Sequence, residues 1–360
     1  AVDAPLVLTY HTKYDIDIAR AVRSRLLQES AIRALVQNVE SCDEVWVVSR
    51  GAGENLRSLG YEGDYIVMEN GVDVPRGVSS GAAIAAATAD YDLPQGTPVF
   101  LFVGRLMWYK GIRIILDALK TLRESGTDFR MVFVGDGADG AEIRAYAEEQ
   151  GLSDRCFFTG AISARETLRA WYSRADLFLF PSTFDTNGLV VREAAASGTA
   201  TVMIRASCAA EGVSDGRNGF LIDENAEAMA AKLSELCRAP ETMRAVGENA
   251  QRELYISWET AVERAMARYE VVIDNYRSGR YPRHERLSDE FFKTQGSLME
   301  AFAAIGELQE QVAEGLRREQ REAEKTIAHS RAGMQQLLQG TKRGISDLYE
   351  TILQKMDRYL

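Results

Sequence analysis

The feature that most constrains the fold is a series of short apolar segments alternating with amphipathic segments between residues 99 and 222. The segments at 99–103 (VFLFV) and 130–134 (RMVFV) are rich in the β-branched and aromatic residues of buried parallel strands. The same pattern recurs at 156–159, 177–180, 201–204 and 219–222. Strands that alternate with helices in this way predict an α/β domain with a parallel, Rossmann-like sheet.

A smaller group of strands precedes this domain. Apolar segments stand at 5–10, 44–49 and 65–68, each separated from the next by a helical segment. Three such strands make about half of a Rossmann-like sheet. We therefore predict a partial N-terminal domain over 1–85 and a complete domain over 86–256.

The C-terminal part of the chain is predicted to be helical. A return helix over 257–280 is followed by a helical or coiled-coil tail over 281–360. The tail prediction depends on apolar residues that step by three and four between Leu298 and Leu316. Such a tail could bring copies of the chain together as a homo-oligomer.

The composition excludes several classes of function. The 360 residues carry a net charge of −11, which argues against nucleic acid as the main partner because phosphate binding needs a dominant basic face. The four cysteines and three histidines lack metal-ligand spacing, so we expect neither a zinc site nor a disulfide framework, and a cytoplasmic location. The sequence contains no apolar run of about 18 residues, so it predicts no membrane span.

The first pattern that suggests chemistry is Gly104-Arg105, followed by Lys110-Gly111, directly after the strand at 99–103. Helix N-termini at the carboxyl edge of a parallel sheet bind phosphates, and Arg105 and Lys110 would add two positive charges there. An arginine and a lysine beside an ordinary surface turn would look the same. The pattern alone leaves both interpretations open.

Two further patterns lie in the same domain. Asp185 and Glu193 bracket the start of a predicted helix, where carboxylates could accept hydrogen bonds from sugar hydroxyls. Gly135 and Gly137 form a turn after the strand at 130–134, where the backbone could approach a phosphate or a ribose. A solvated helix face and an ordinary loop explain these residues equally well.

Together and in this order, the patterns resemble the retaining glycosyltransferases of family four, the glycosyl transferases group 1, over residues 5 to 275. The matching segments are VGRL at 103–106, KG at 110–111, VGDG at 134–137, FTG at 158–160, PS at 181–182, DTNGLVVREAAASG at 185–198, DGRNGFL at 215–221 and SWE at 257–259. The resemblance implies the α/β GT-B fold of two Rossmann-like domains. The second would bind a nucleoside-diphosphate sugar, and the first an acceptor.

The resemblance assigns the donor diphosphate to Arg105 and Lys110, and the ribose hydroxyls to Glu193. Asp185 matches an acid that contacts the donor sugar, and His11 matches a histidine that faces this sugar from the first domain. The other residues that it places in the donor site are Gly104, Gly135, Gly137, Gly160, Asn187, Gly188 and Leu189. It implies no cofactor and no metal, because the departing phosphate accepts the acceptor proton. A UDP-sugar is the favoured donor.

The sequence also departs from the family pattern. Asp185 stands where the family has Glu, and Asn187 where it has Phe, which leaves the donor sugar open. The family's first strands have no counterpart before residue 5. We therefore expect an N-terminally incomplete chain.

The acceptor is expected to be a lipid or a polysaccharide, because YHTK at 10–13 resembles diacylglycerol glucosyltransferases. The basic residues Arg277, Arg280 and Arg283 could touch the inner face of an anionic membrane, or form a solvated linker. Two other functions stay open. One is a nucleotide-sugar epimerase, and the other is a non-catalytic nucleotide-sugar-binding module that assembles through its helical tail.

Overall fold

The computed structural model describes residues 4–281, which contain two parallel β-sheets. The first sheet has the strand order β1-β2-β3, with β1 at Val7–Tyr10, β2 at Glu44–Val47 and β3 at Ile66–Val67. Its helices are α1 (Tyr14–Ala21), α2 (Arg25–Glu40) and α3 (Arg50–Ser58). The three predicted strands are confirmed, whereas the helical segment predicted between the first two of them is two helices.

The second sheet has six strands, all parallel, in the order β6-β5-β4-β7-β8-β9. They are β4 (Val99–Val103), β5 (Arg130–Val134), β6 (Cys156–Gly160), β7 (Leu177–Phe180), β8 (Ala200–Ile204) and β9 (Phe220–Ile222). This confirms the sheet predicted from the apolar segments. The order runs outward in both directions from β4 and β7, so these two strands form the switch point where parallel sheets bind ligands at their carboxyl ends.

Helices cover both faces of the second sheet. They are α4 (Gly81–Thr88), α5 (Ile112–Glu124), α6 (Gly140–Glu149), α7 (Arg165–Arg174), α8 (Leu189–Ala196), α9 (Ala226–Cys237) and α10 (Pro240–Glu253). Every residue of β4 and β7 is buried, which explains why these strands read as continuous apolar runs. Phe102 packs against Phe133 and Phe180, with ring centroids 5.9 and 6.5 Å apart. This aromatic core gives the loops at the sheet edge a rigid base.

The return helix α11 (Trp258–Arg277) packs back on the first sheet. Its start is joined to the chain after β3, because Val72 N donates to Ile256 O at 2.9 Å and Trp258 N donates to Val72 O at 3.1 Å. Farther along, Arg268 donates to both carboxylate oxygens of Glu44, at 2.8 and 2.6 Å. Both sheets lie in one compact unit that takes in the described chain except residues 20–25.

Within residues 4–281, no helix combines the length and the apolar character needed to cross a bilayer. The return helix predicted over 257–280 coincides with α11. The domain boundaries at 85, 256 and 280 stay predictions. The helical tail predicted over 281–360 lies outside the described residues except for residue 281.

Candidate functional site

The turn after β4 carries the predicted phosphate-binding residues. Arg105 is exposed, whereas Lys110 is only 7% exposed and ends a short 3₁₀ turn, Trp108–Lys110. The next residue, Gly111, adopts φ 77°, and a Cβ there would lie 2.3 Å from the carbonyl oxygen of Pro181. Lys110 therefore lies just before α5, which begins at Ile112. The glycine allows the lysine to turn toward the loop after β7.

Lys110 forms an ion pair with the first of the two predicted acids. Its Nζ lies 2.6 Å from Oδ1 of Asp185, and the two side chains are 9% and 23% exposed. The rings of Tyr109 and Phe184 flank the ammonium group at 5.6 and 5.5 Å from their centroids. The second oxygen of the carboxylate, Oδ2, is buried and has no hydrogen-bond partner. This oxygen is thus able to accept a hydrogen bond from a ligand.

The ion pair opens on a cleft of about 330 Å³ at the carboxyl ends of β4 and β7. The cleft is lined by His11, Asn70, Val103, Gly104, Lys110, Phe180, Asp185, Thr186, Asn187, Gly188, Leu189 and Val190. His11 and Asn70 come from the first sheet's side, and the others come from the second. The structure therefore brings His11, Lys110 and Asp185 together, as the sequence predicted, although they are far apart along the chain.

The loop between β7 and α8 is hydrogen-bonded to the first sheet's loops. Thr186 Oγ1 donates to the backbone oxygen of His11 at 2.6 Å, and Lys13 Nζ donates to Thr183 O at 3.0 Å. The side-chain amide of Asn187 donates to the backbone oxygen of Val48. These contacts hold Thr186, the neighbour of Asp185, against His11, which begins the loop after β1.

Helix α8 begins at the cleft. Gly188 precedes it with φ 62°, and Leu189 is its first residue. The first N–H groups of a helix have no acceptor within it and favour an anion. Glu193 lies one turn farther and accepts a hydrogen bond from the buried Tyr172 hydroxyl at 2.9 Å. The pKa of the Glu193 carboxyl is raised, because the effect of burial is larger than the opposing effect of the Tyr172 hydrogen bond.

Similarity to known proteins identifies the family of the segment that contains the second sheet. Residues 85–253 match the family described as Glycosyl transferases group 1. This segment, which contains the second sheet, belongs to that family.

A D-inositol 3-phosphate glycosyltransferase of Xylanimonas cellulosilytica is 32% identical over 61% of this chain and 55% of its own length. An alpha-monoglucosyldiacylglycerol synthase of Streptococcus pneumoniae is 25% identical over 55% of this chain and 46% of its own length. The crystal structure of Anabaena HepE with UDP and glucose superposes with a TM-score of 0.63 at 21% identity, over 74% of this chain and 71% of that one. The GT-B fold class is thereby confirmed. The chain spans about half the length of the curated relatives it matches.

Three glycines of the group 1 transferase pattern serve to stack the loops beside the cleft. A Cβ on Gly135, whose φ is 137°, would lie 1.9 Å from the backbone oxygen of Gly104. A Cβ on Gly137 would lie 2.4 Å from the backbone oxygen of Leu106. Gly135 N in turn donates to Gly160 O at 2.9 Å. The turn that carries Arg105 is therefore positioned by backbone contacts that leave no room for side chains.

Several residues of the site have less direct positions than the sequence suggested. Five residues of the predicted site are not among the described residues that line the cleft. They are Arg105, Gly135, Gly137, Gly160 and Glu193. Asn70 lines the cleft but was not predicted, although its place at the end of the strand predicted at 65–68 could have signalled it. Glu211 was also missed. Its carboxylate accepts from the backbone N–H groups of Arg50 and Gly51 at the start of α3.

Proposed function

We propose that this group 1 family member is a retaining glycosyltransferase that moves a hexose from a UDP-sugar to a lipid or glycan acceptor without a metal ion. The observation that carries the proposal is the Lys110–Asp185 ion pair, which lines the same cleft as His11. The Lys110 ammonium group can bind a phosphate, and the Asp185 carboxylate can accept a hydrogen bond from a sugar hydroxyl.

The donor diphosphate binds where Lys110 and the start of α8 meet. Lys110 donates to the diphosphate and neutralises the negative charge that grows on the leaving group. The first amides of α8, at Gly188 and Leu189, act on the same charge. Arg105 is exposed on the neighbouring turn and reaches the diphosphate from the open side of the cleft. Glu193 binds the ribose hydroxyls while Tyr172 holds its carboxylate in place.

The reaction breaks the bond between the anomeric carbon and the diphosphate oxygen. An acceptor hydroxyl forms the new bond on the same face of the sugar, and its proton passes to the departing phosphate oxygen. Asp185 Oδ2 accepts a hydrogen bond from the sugar, and His11 contacts the sugar from the opposite wall. Because Lys110, Arg105 and the helix amides supply the positive charge, the step requires no metal.

The acceptor is proposed from the relatives and from the charge near the end of α11. The Streptococcus pneumoniae relative is named as a synthase of a glycosylated diacylglycerol, which supports a lipid acceptor here. Arg277 and Arg280 are exposed at the end of α11 and beyond it, so this end can approach anionic headgroups. We therefore propose peripheral contact with the cytoplasmic face of a membrane.

The test follows transfer of radiolabelled glucose from UDP-glucose to diacylglycerol in vesicles, with and without EDTA. We expect an α-linked glycolipid, an unchanged rate in EDTA, and at least about a tenfold loss of rate in Asp185→Asn. Glu241→Gln, an exposed change on α10, serves as the matched control. A β-linked product would refute retention, and loss of the rate in EDTA would refute metal independence. UDP binding without any transfer would favour the non-catalytic module.

A further inference from the structure

One face of α11 is apolar and exposed. Its members follow one another at steps of four, four, three and four, which aligns side chains along one side of a helix. They are Trp258, Val262, Met266, Tyr269 and Ile273. Their exposed fractions range from 39% at Ile273 to 59% at Met266. We call this face the α11 stripe. A contiguous row of exposed apolar side chains marks an interaction surface more often than isolated ones do.

The α11 stripe is presented by a helix that is firmly fixed to the molecule. The Tyr269 ring packs against Trp46 at 4.7 Å between centroids. Next to it, Arg268 makes its two hydrogen bonds to the half-buried Glu44. Ser257 caps the helix by accepting from Thr260 N at 3.0 Å. A partner would meet a preformed surface and would not have to order it, which lowers the cost of binding.

An acidic row borders the stripe. Each of four exposed acids directly follows a stripe residue in the sequence and is therefore rotated from it by about 100° around the helix, so the four acids form a row along one edge of the stripe. These acids are Glu259, Glu263, Glu270 and Asp274. The row ends at the exposed Arg277. The surface thus combines an apolar centre with a predominantly negative edge.

This charge pattern selects one occupant. Two antiparallel copies of α11 would set acidic row against acidic row, and an anionic membrane would repel the row. The chain's own apolar segment at 298–316 contains four Glu and neither Lys nor Arg. Its other apolar segment, at 337–352, has two basic and two acidic residues, so neither segment has a predominantly positive border. We propose that the α11 stripe docks an amphipathic helix of another protein, whose apolar face is bordered by Lys and Arg.

The test uses the full chain and two labelled synthetic helical peptides with the same leucine face. One peptide has lysines beside the leucines, and the other has glutamates in the same places. By fluorescence anisotropy we expect the lysine peptide to bind at least about tenfold more tightly than the glutamate peptide. The Glu263→Lys/Glu270→Lys variant is expected to reverse this preference. Both positions are exposed, so circular dichroism should show an unchanged fold.

A second variant separates the apolar stripe from its charged edge. Met266→Gln should weaken the lysine peptide by about tenfold, because it removes the most exposed apolar side chain of the stripe. Val271→Gln, exposed on another face of α11, is the matched control and should leave binding unchanged. Equal affinity for the two peptides, or no effect of Met266→Gln, overturns the proposal. A dimer of the free chain that Met266→Gln dissociates, or stripe-dependent vesicle binding, would do the same.

Discussion

Replacing Lys110 by methionine tests whether the ion pair in the cleft is as strongly coupled as its burial implies. The Lys110 side chain is 9% exposed and Asp185 is 23% exposed, with 2.6 Å between Nζ and Oδ1. Removing one partner of a fully buried pair costs about 3–5 kcal/mol, because the other charge is left without compensation. Partial access of water to Asp185 reduces this, so we expect Lys110→Met to lower the free energy of unfolding by about 2–3 kcal/mol.

The assay is urea unfolding of a double-mutant cycle at pH 7. Asp185→Asn alone should cost a similar amount, whereas the double variant should recover about 2 kcal/mol relative to the sum of the single changes. The ion pair of Lys232 with Glu235 is the control, since Glu235 is 64% exposed and the pair should contribute less than about 0.5 kcal/mol. Additive costs for Lys110 and Asp185, or a coupling no larger than that of the control, would refute the reasoning.

Two further predictions concern the carboxylate on α8 and the glycine turns. Burial raises the pKa of Glu193, so its ionised form opposes folding at pH values above about 4.5. Glu193→Gln should therefore raise the melting temperature at pH 7, and this gain should vanish as the pH falls below about 4.5, where wild-type Glu193 is protonated. Gly135→Ala should cost more than about 3 kcal/mol in urea unfolding, because its Cβ would meet Gly104 O at 1.9 Å. Gly160→Ala, with φ 76° and no atom within 4 Å of its Cβ, should cost only about 1 kcal/mol.

The strands of the second sheet could be predicted because they are buried on both faces. Such strands have to be apolar at every position, so the segment at 99–103 stands out from its neighbours without any structural information. The position of Lys110 and Asp185 at the same sheet edge followed from the alternation of strands and helices. Their direct pairing did not, because it depends on β4 and β7 being neighbours, which only the topology establishes.

The contacts between the loops of the two sheets could not be predicted from the sequence. The sequence around Asn187 and Glu211 does not predict their hydrogen-bond partners, which are Val48 and the start of α3. Gly135 was read as a position for ligand approach, whereas the backbone that approaches it is that of Gly104. Polar contacts over long sequence distances depend on tertiary geometry, and this geometry leaves no periodic signal in the chain.

The central claim is that the cleft binds a nucleoside diphosphate through Lys110 and Arg105. Calorimetric titration of the chain with UDP, GDP and ADP tests it most directly, with Arg105→Ala/Lys110→Ala as the variant and exposed Lys120→Ala on α5 as the control. We predict micromolar binding of UDP in preference to the other two, a loss of at least about tenfold in the double variant, and no change in the control. UDP affinity that is unchanged in a folded double variant would contradict the account.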